Sequence, residues 1–132
     1  MKSFKAVMVL AAAGLVAGCV QETAGSGQSD YETLCAGCHG ATGRGEGPAA
    51  ASLDVAVPDL TQIAARNGGE FPLVDVMAQI DGYTREQSHA GMPAFWPLLE
   101  GETVMIKTDP GIFTPTPERL VALARYLESI QD

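Results

Sequence analysis

Cys35-Ala36-Gly37-Cys38-His39 sets two thiols three positions apart, with an imidazole directly after the second. On one helical turn, thiols at that separation can add to the two vinyl groups of a single porphyrin, and the adjacent histidine can then ligate its iron. This makes Cys35 and Cys38 the expected thioether sites and His39 the expected proximal ligand of one covalently bound haem. A redox dithiol or half of a zinc site would use the same pair. A zinc site needs four good ligands, however, and the chain has only three Cys and two His. A thioredoxin-like dithiol belongs near a βαβ pattern, and no such alternation is visible.

The far side of the iron needs a second ligand if the haem is six-coordinate. Once the N-terminal segment described below is set aside, the methionines are Met77, Met92 and Met105. Met77 falls on the apolar face of a helix and reads as core, and Met105 alternates with Val104 and Ile106 in a strand pattern. Met92 differs. Gly91 frees the backbone before it and Pro93 keeps it extended, so its thioether can reach an iron from a loop. His89 is the competing distal ligand; two imidazoles would give a lower potential than imidazole plus thioether. Arg66, Tyr83 and Trp96 are candidates to hydrogen-bond or neutralise buried haem propionates, and Phe95 and Trp96 to wall the pocket. Leu53, Val55 and Leu60 read as core.

These residues must be delivered outside the cytoplasm if a haem is to be attached to them, and the N-terminus fits. Met1 to Lys5 is basic, Ala6 to Ala17 is apolar, and Gly18-Cys19 follows, so residues 1–18 read as an export signal too short to span a bilayer comfortably. Val16-Ala17-Gly18-Cys19 resembles the lipobox of bacterial lipoproteins, which implies cleavage before Cys19 and acylation of its thiol. Ordinary cleavage after Ala13 or Ala17 is the alternative. The expected location is the periplasmic side of a bacterial membrane, lipid-anchored, and Val20 stands where an Asp often accompanies inner-membrane retention in enteric bacteria. Residues 19–29 then read as a lipidated flexible tether, polar and without periodicity from Val20 to Ser29, with a random-coil span of roughly 17 Å.

Charge narrows the partners. The full chain carries −8, and loss of Lys2 and Lys5 with the signal leaves six basic against sixteen acidic residues, or −10. Such a surface repels nucleic acid and anionic lipid and favours basic docking patches on other proteins.

Residues 30–132 form one small domain, in which a porphyrin would supply apolar surface that the side chains lack. Ser29 and Glu32 have capping-box spacing, which predicts a helix from Asp30 that ends in the Cys35–His39 turn. Gly43-Arg44-Gly45-Glu46-Gly47-Pro48 is a loop. Pro58-Asp59 opens a turn into a short helix over Leu60–Arg66, and Leu73, Val76, Met77 and Ile80 make one apolar helical face that stops at Gly82. Thr116 as N-cap and Pro117 at the first position open a last helix with Leu120, Leu123, Ala124, Leu127 and Ile130 at helical spacing. Before it, Glu102–Lys107 and Gly111–Thr114 around Pro110-Gly111 read as a β-hairpin whose second arm is kept short by Pro115 and Pro117.

Together, CAGCH, GRGEGP, the Gly91-Met92-Pro93 triplet and the amphipathic C-terminal helix with Tyr126 resemble a small monohaem class I c-type cytochrome over most of the mature domain. The resemblance implies an all-α fold with crossed N- and C-terminal helices around the haem, here with a small β-hairpin insertion before the last helix. It also implies that Gly27, Tyr31, Leu123 and Tyr126 lie at that crossing, and that the Pro48 carbonyl accepts a hydrogen bond from His39. Gly101 to Pro115 departs from the shorter members of the family, so residue roles are not carried across it.

The expected function is a membrane-tethered electron carrier with a His/Met haem c, not an enzyme, passing single electrons between redox proteins. A fixed haem subunit of a larger oxidoreductase, using the hairpin for assembly, is the alternative. A haem sensor or peroxidase would need an open or labile sixth position, which the Met-Pro pair opposes.

Overall fold

A glycine on one helix and a carbonyl on another set the geometry of this chain. The computed structural model describes residues 24–82 and 91–132. Helix α1 runs from Ala24 to Leu34, and Gly27 rests on the last helix, α6 (Glu118–Ser129). A Cβ at Gly27 would lie 2.1 Å from the Ala122 carbonyl oxygen, so only glycine permits this approach. One turn further on, the Tyr31 and Tyr126 rings meet at 5.2 Å between centroids. The Tyr31 side chain is fully buried, its hydroxyl donates to the Gly40 carbonyl at 2.6 Å, and burial pushes its pKa up to about 12. Arg119 of α6 clasps Asp30 of α1 and donates to the Leu98 carbonyl at 2.7 Å.

Helix α1 starts earlier than the capping-box spacing suggests. Ser29 is in mid-helix, where its carbonyl accepts from the Thr33 hydroxyl at 2.8 Å, and Glu32 is taken by Gln28 Nε2 at 2.8 Å. Residues 24–29 are therefore helix rather than tether, because Gly27 must lie against α6, and packing outweighs the weak local helix propensity of a Gly/Ser stretch. The expected export signal over residues 1–18, Cys19, Tyr83 and His89 lie outside the described residues.

After α1 come a single turn, α2 (Ala36–His39), then α3 (Ile63–Arg66), entered through a 3₁₀ turn over Leu60–Gln62. Helix α4 (Leu73–Asp81) buries Val76, Met77 and Ile80 as its periodicity predicts, and ends at Gly82 in the left-handed conformation. Met77 is thus core. Short helix α5 (Trp96–Leu99) buries Leu99. Tyr31, Leu99, Leu120, Leu123 and Leu127 form the centre of the core with the α4 face.

The hairpin is present and longer than expected. Strand β1 (Thr103–Asp109) pairs antiparallel with β2 (Ile112–Pro117), in register from Thr103 opposite Pro117 to Lys107 opposite Phe113. Pro115 and Pro117 do not shorten β2. They are two residues apart, so both ring nitrogens face the free edge of a two-stranded ribbon, where no N–H is needed. Nor does Thr116 cap α6: it lies within β2, opposite Val104, and its hydroxyl donates to the Thr114 carbonyl at 3.1 Å, while the helix begins at Glu118 without a side-chain cap. The architecture is thus helical, with crossed terminal helices and one hairpin.

The crossing gives a direct test. Gly27→Ala forces α1 and α6 apart and should cost about 1–3 kcal/mol, on the order of 5–15 °C in Tm. Gly37→Ala, where a Cβ meets nothing within 4 Å, should stay within about 0.5 kcal/mol. Thermal melts of the two variants beside the parent check both.

Candidate functional site

Cys35 closes α1 and opens α2: its carbonyl accepts from Cys38 N at 3.1 Å and from His39 N at 2.9 Å. Those two bonds wind Cys35, Cys38 and His39 into one turn, and positions i, i+3 and i+4 share a face. The face lines a cavity of about 560 Å³, within the roughly 300–1,000 Å³ range of pockets that enclose small molecules and cofactors. Neither cysteine is in a disulfide. Burial, with the Asp30 and Cys38 charges adding to it, pushes the Cys35 thiol up to about 11. It is therefore a neutral thiol near neutral pH, unlike the low-pKa thiolate of a redox dithiol. Among the described residues no group of three or more His, Cys, Asp or Glu is placed to hold a metal ion, so the zinc alternative finds no further ligands there.

The imidazole is held from behind. His39 Nδ1 lies 3.3 Å from the Pro58 carbonyl oxygen; since a carbonyl only accepts, Nδ1 carries the proton and Nε2 is the nitrogen with a lone pair to offer. Burial lowers the His39 pKa, partly offset by that hydrogen bond, which keeps the ring neutral and ligating. The acceptor is Pro58, not Pro48. Residues 45–49 are committed elsewhere: Gly45 N donates to His39 O at 2.8 Å, Gly47 N to Cys38 O at 3.0 Å and Ala49 N to Gly37 O at 2.9 Å. A Cβ at Gly47 would fall 2.4 Å from Gly37 O, so this loop lies flat on the carbonyl end of α2 while the next turn meets the imidazole.

Met92 lines the same cavity, between Gly91 and Pro93. Gly91 has φ 101°, which a side-chain-bearing residue adopts only under strain, and Gln79 Nε2 lies 3.8 Å from the Met92 sulfur. Phe95 is buried at the cavity wall. Two thiols, a neutral imidazole and a thioether around one largely apolar space are the donor set that a covalently linked haem uses. The cytochrome c family model matches residues 24–131. The chain belongs to the cytochrome c family. Searches of curated proteins and of solved structures each return no match.

Members of this family bind covalent haem c with its iron and transfer electrons, and this cytochrome is one of the small class I type. Its cavity is also lined by Leu53 and Val55, which the sequence marks as core; Val55 is 41% exposed and Leu53 half-buried. Leu60 packs against the core as expected. The propionate candidates fare differently. Arg66 donates through Nη2 to the Asp59 carbonyl at 2.9 Å, bracing the Pro58 turn, and is not among the cavity-lining residues. Trp96, 49% exposed on α5, is not among them either.

Pro58 was legible only as a turn residue. Its neighbour Asp59 carries the local signal: Asp59 Oδ1 accepts from Thr61 N at 2.9 Å and from the Thr61 hydroxyl at 2.7 Å, capping the turn that aims the Pro58 carbonyl. The Thr61 hydroxyl, then its backbone N–H and the Arg44 and Arg66 charges, hold the Asp59 carboxyl below the usual carboxylate range in this cytochrome. Its folded pKa is lower than its unfolded one, so its contribution to stability is complete above about pH 4 and is lost as pH falls through the folded value. Melts between about pH 5 and pH 2.5 should show the parent losing more Tm than Asp59→Asn; equal slopes would remove Asp59 from the acid transition.

Proposed function

We propose that this cytochrome is an exported, membrane-anchored electron carrier in which Cys35 and Cys38 hold the haem by thioether links, His39 is the proximal ligand and Met92 the distal one. The observation that carries the reading is that all four side chains face one cavity, although Met92 is more than fifty residues from the CAGCH turn. Bound haem supplies a one-electron ferric/ferrous couple. The chain does the rest. The Pro58 carbonyl orients the His39 ring, Gly91 lets Met92 approach from a loop, and Leu34 and Phe95 keep the walls apolar. With imidazole and thioether both engaged, no open position is left for a substrate, so the protein passes electrons and makes no bonds.

The anchor is Cys19. Helix α1 begins at Ala24, which leaves residues 20–23 between the acylated cysteine and the folded domain. Five Cα steps reach at most about 18 Å, so the domain stays against the lipid surface instead of ranging widely. That suits electron donors and acceptors that are themselves in the membrane: a quinol-oxidising complex or a dehydrogenase on one side, a terminal oxidase or reductase on the other. Among the described residues no helix is long and apolar enough to cross a membrane. The net charge supports partners with basic docking patches.

A fixed subunit of a larger oxidoreductase is the second reading, and one observation favours it. The hairpin turns Met105, Ile112 and Phe113 outward, each more than half exposed at 60%, 55% and 57%, the pattern of an assembly surface. Extraction of the protein alone in mild detergent supports the carrier; extraction only with partners supports the subunit.

Two experiments test the assignments. In the oxidised visible spectrum, a sulfur-to-iron charge-transfer band should be present in the parent, vanish in Met92→Ala and persist in His89→Ala; a parent without the band, whose spectrum changes in His89→Ala and not in Met92→Ala, would make His89 the ligand. Cys19→Ser should move the protein from the membrane to the soluble fraction of the cell, with the haem spectrum unchanged; retention at the membrane would discard the lipid anchor.

A further inference from the structure

The turn that meets the proximal imidazole is gripped from several directions. Leu60 N donates to the Gly43 carbonyl at 2.7 Å, and Arg66 holds the Asp59 carbonyl as described above. Two more grips come from the last two residues, beyond the end of α6. Gln131 Nε2 donates to the Leu60 carbonyl at 2.8 Å and to the Leu127 carbonyl at 2.7 Å, while Gln131 Oε1 accepts from Ala64 N at 2.9 Å. Its amide thus spends both donors and its acceptor on tying α6 to the Leu60 turn and the start of α3. Asp132 N donates to the Thr61 carbonyl at 3.1 Å, and its carboxylate accepts from Gln62 Nε2 at 2.8 Å and Arg44 Nη2 at 3.0 Å. Arg44 also lies 3.7 Å from Asp59. Gln131 and Leu60 are 71 residues apart, so no local preference explains the contact.

We infer that Gln131, assisted by Asp132, is a positioning residue for the proximal ligand: it fixes the Leu60 and Thr61 carbonyls so that the neighbouring Pro58 carbonyl stays on His39 Nδ1. The inference rests on the reading of His39 as the proximal ligand. Gln131 leads because its contacts are partly buried, whereas the Asp132 and Arg44 side chains are each nearly half exposed and solvent weakens their attraction. The consequence is electronic. A carbonyl accepting from Nδ1 makes the other ring nitrogen a stronger donor, which favours ferric iron and lowers the potential. A loosened turn weakens that bond, and the potential rises.

The test uses the full haem-loaded protein. Gln131→Met keeps the side-chain length and deletes its three hydrogen bonds, Asp132→Ala removes the assisting carboxylate, and Arg125→Gln, whose ion pair is with Glu128 on an exposed face, is the control. Two quantities are read: the midpoint potential, and solvent exchange of the His39 Nδ1 proton by NMR of the reduced protein. Gln131→Met should raise the potential and speed exchange roughly three- to tenfold, the scale of one hydrogen bond weakened. Asp132→Ala should move both in the same direction by less, and Arg125→Gln neither. A Gln131→Met protein that melts earlier with potential and exchange unchanged would make Gln131 merely structural and overturn the inference. A parent protein without a histidine-ligated haem would instead overturn the reading beneath it, and would be seen before any variant is compared.

Discussion

The backbone contact between Gly27 and the Ala122 carbonyl sets where everything else can lie. With no side chain between them, α1 and α6 come close enough for Tyr31 to stack on Tyr126 and for the Tyr31 hydroxyl to reach the Gly40 carbonyl just past the CAGCH turn. The C-terminal helix therefore holds both ends of the segment that carries the thiols and the imidazole. Its own far end carries Gln131 and Asp132 to the Pro58 turn. One crossing thus positions the front of the imidazole through α1 and its back through the turn.

This arrangement explains a small domain with few core residues. The buried apolar set is largely the α1–α6 contact plus one face of α4, and on the other side of it stands a cavity whose walls are apolar but whose occupant is not a side chain. Small domains bury a low fraction of their surface, and a covalently held porphyrin completes such a core. The glycines serve the same end. Gly27, Gly45 and Gly47 each lie where a Cβ would meet a main-chain oxygen within 2.4 Å, so loops and helices pack backbone on backbone around the haem side.

Much of the site was legible because its chemistry is local. Cys35, Cys38 and His39 are a contiguous motif, Gly91-Met92-Pro93 is a triplet, and the faces of α4 and α6 follow a single period. What was not legible depends on distant partners. Ser29 has a capping sequence, but the helix runs through it because Gly27 is needed against α6. Thr116 has a capping sequence too, yet it belongs to a strand whose prolines sit harmlessly on a free edge. The choice of Pro58 over Pro48 turns on where a loop folds back on α2, and the bond from Arg66 to the Asp59 carbonyl spans seven residues with no motif to mark it. Gln131, polar and penultimate, carried no signal at all.

Electron transfer, rather than ligand binding or catalysis, follows if the haem is fixed by covalent bonds and enclosed from both axial sides. The covalent claim is the one on which the rest stands. The most direct measurement is the intact mass of the haem-loaded protein after denaturation and extraction with acidified organic solvent, for the parent and for Cys35→Ala with Cys38→Ala. The account predicts that the parent retains the mass and colour of one haem and that the double variant retains neither. A parent stripped of its haem by that treatment would contradict it.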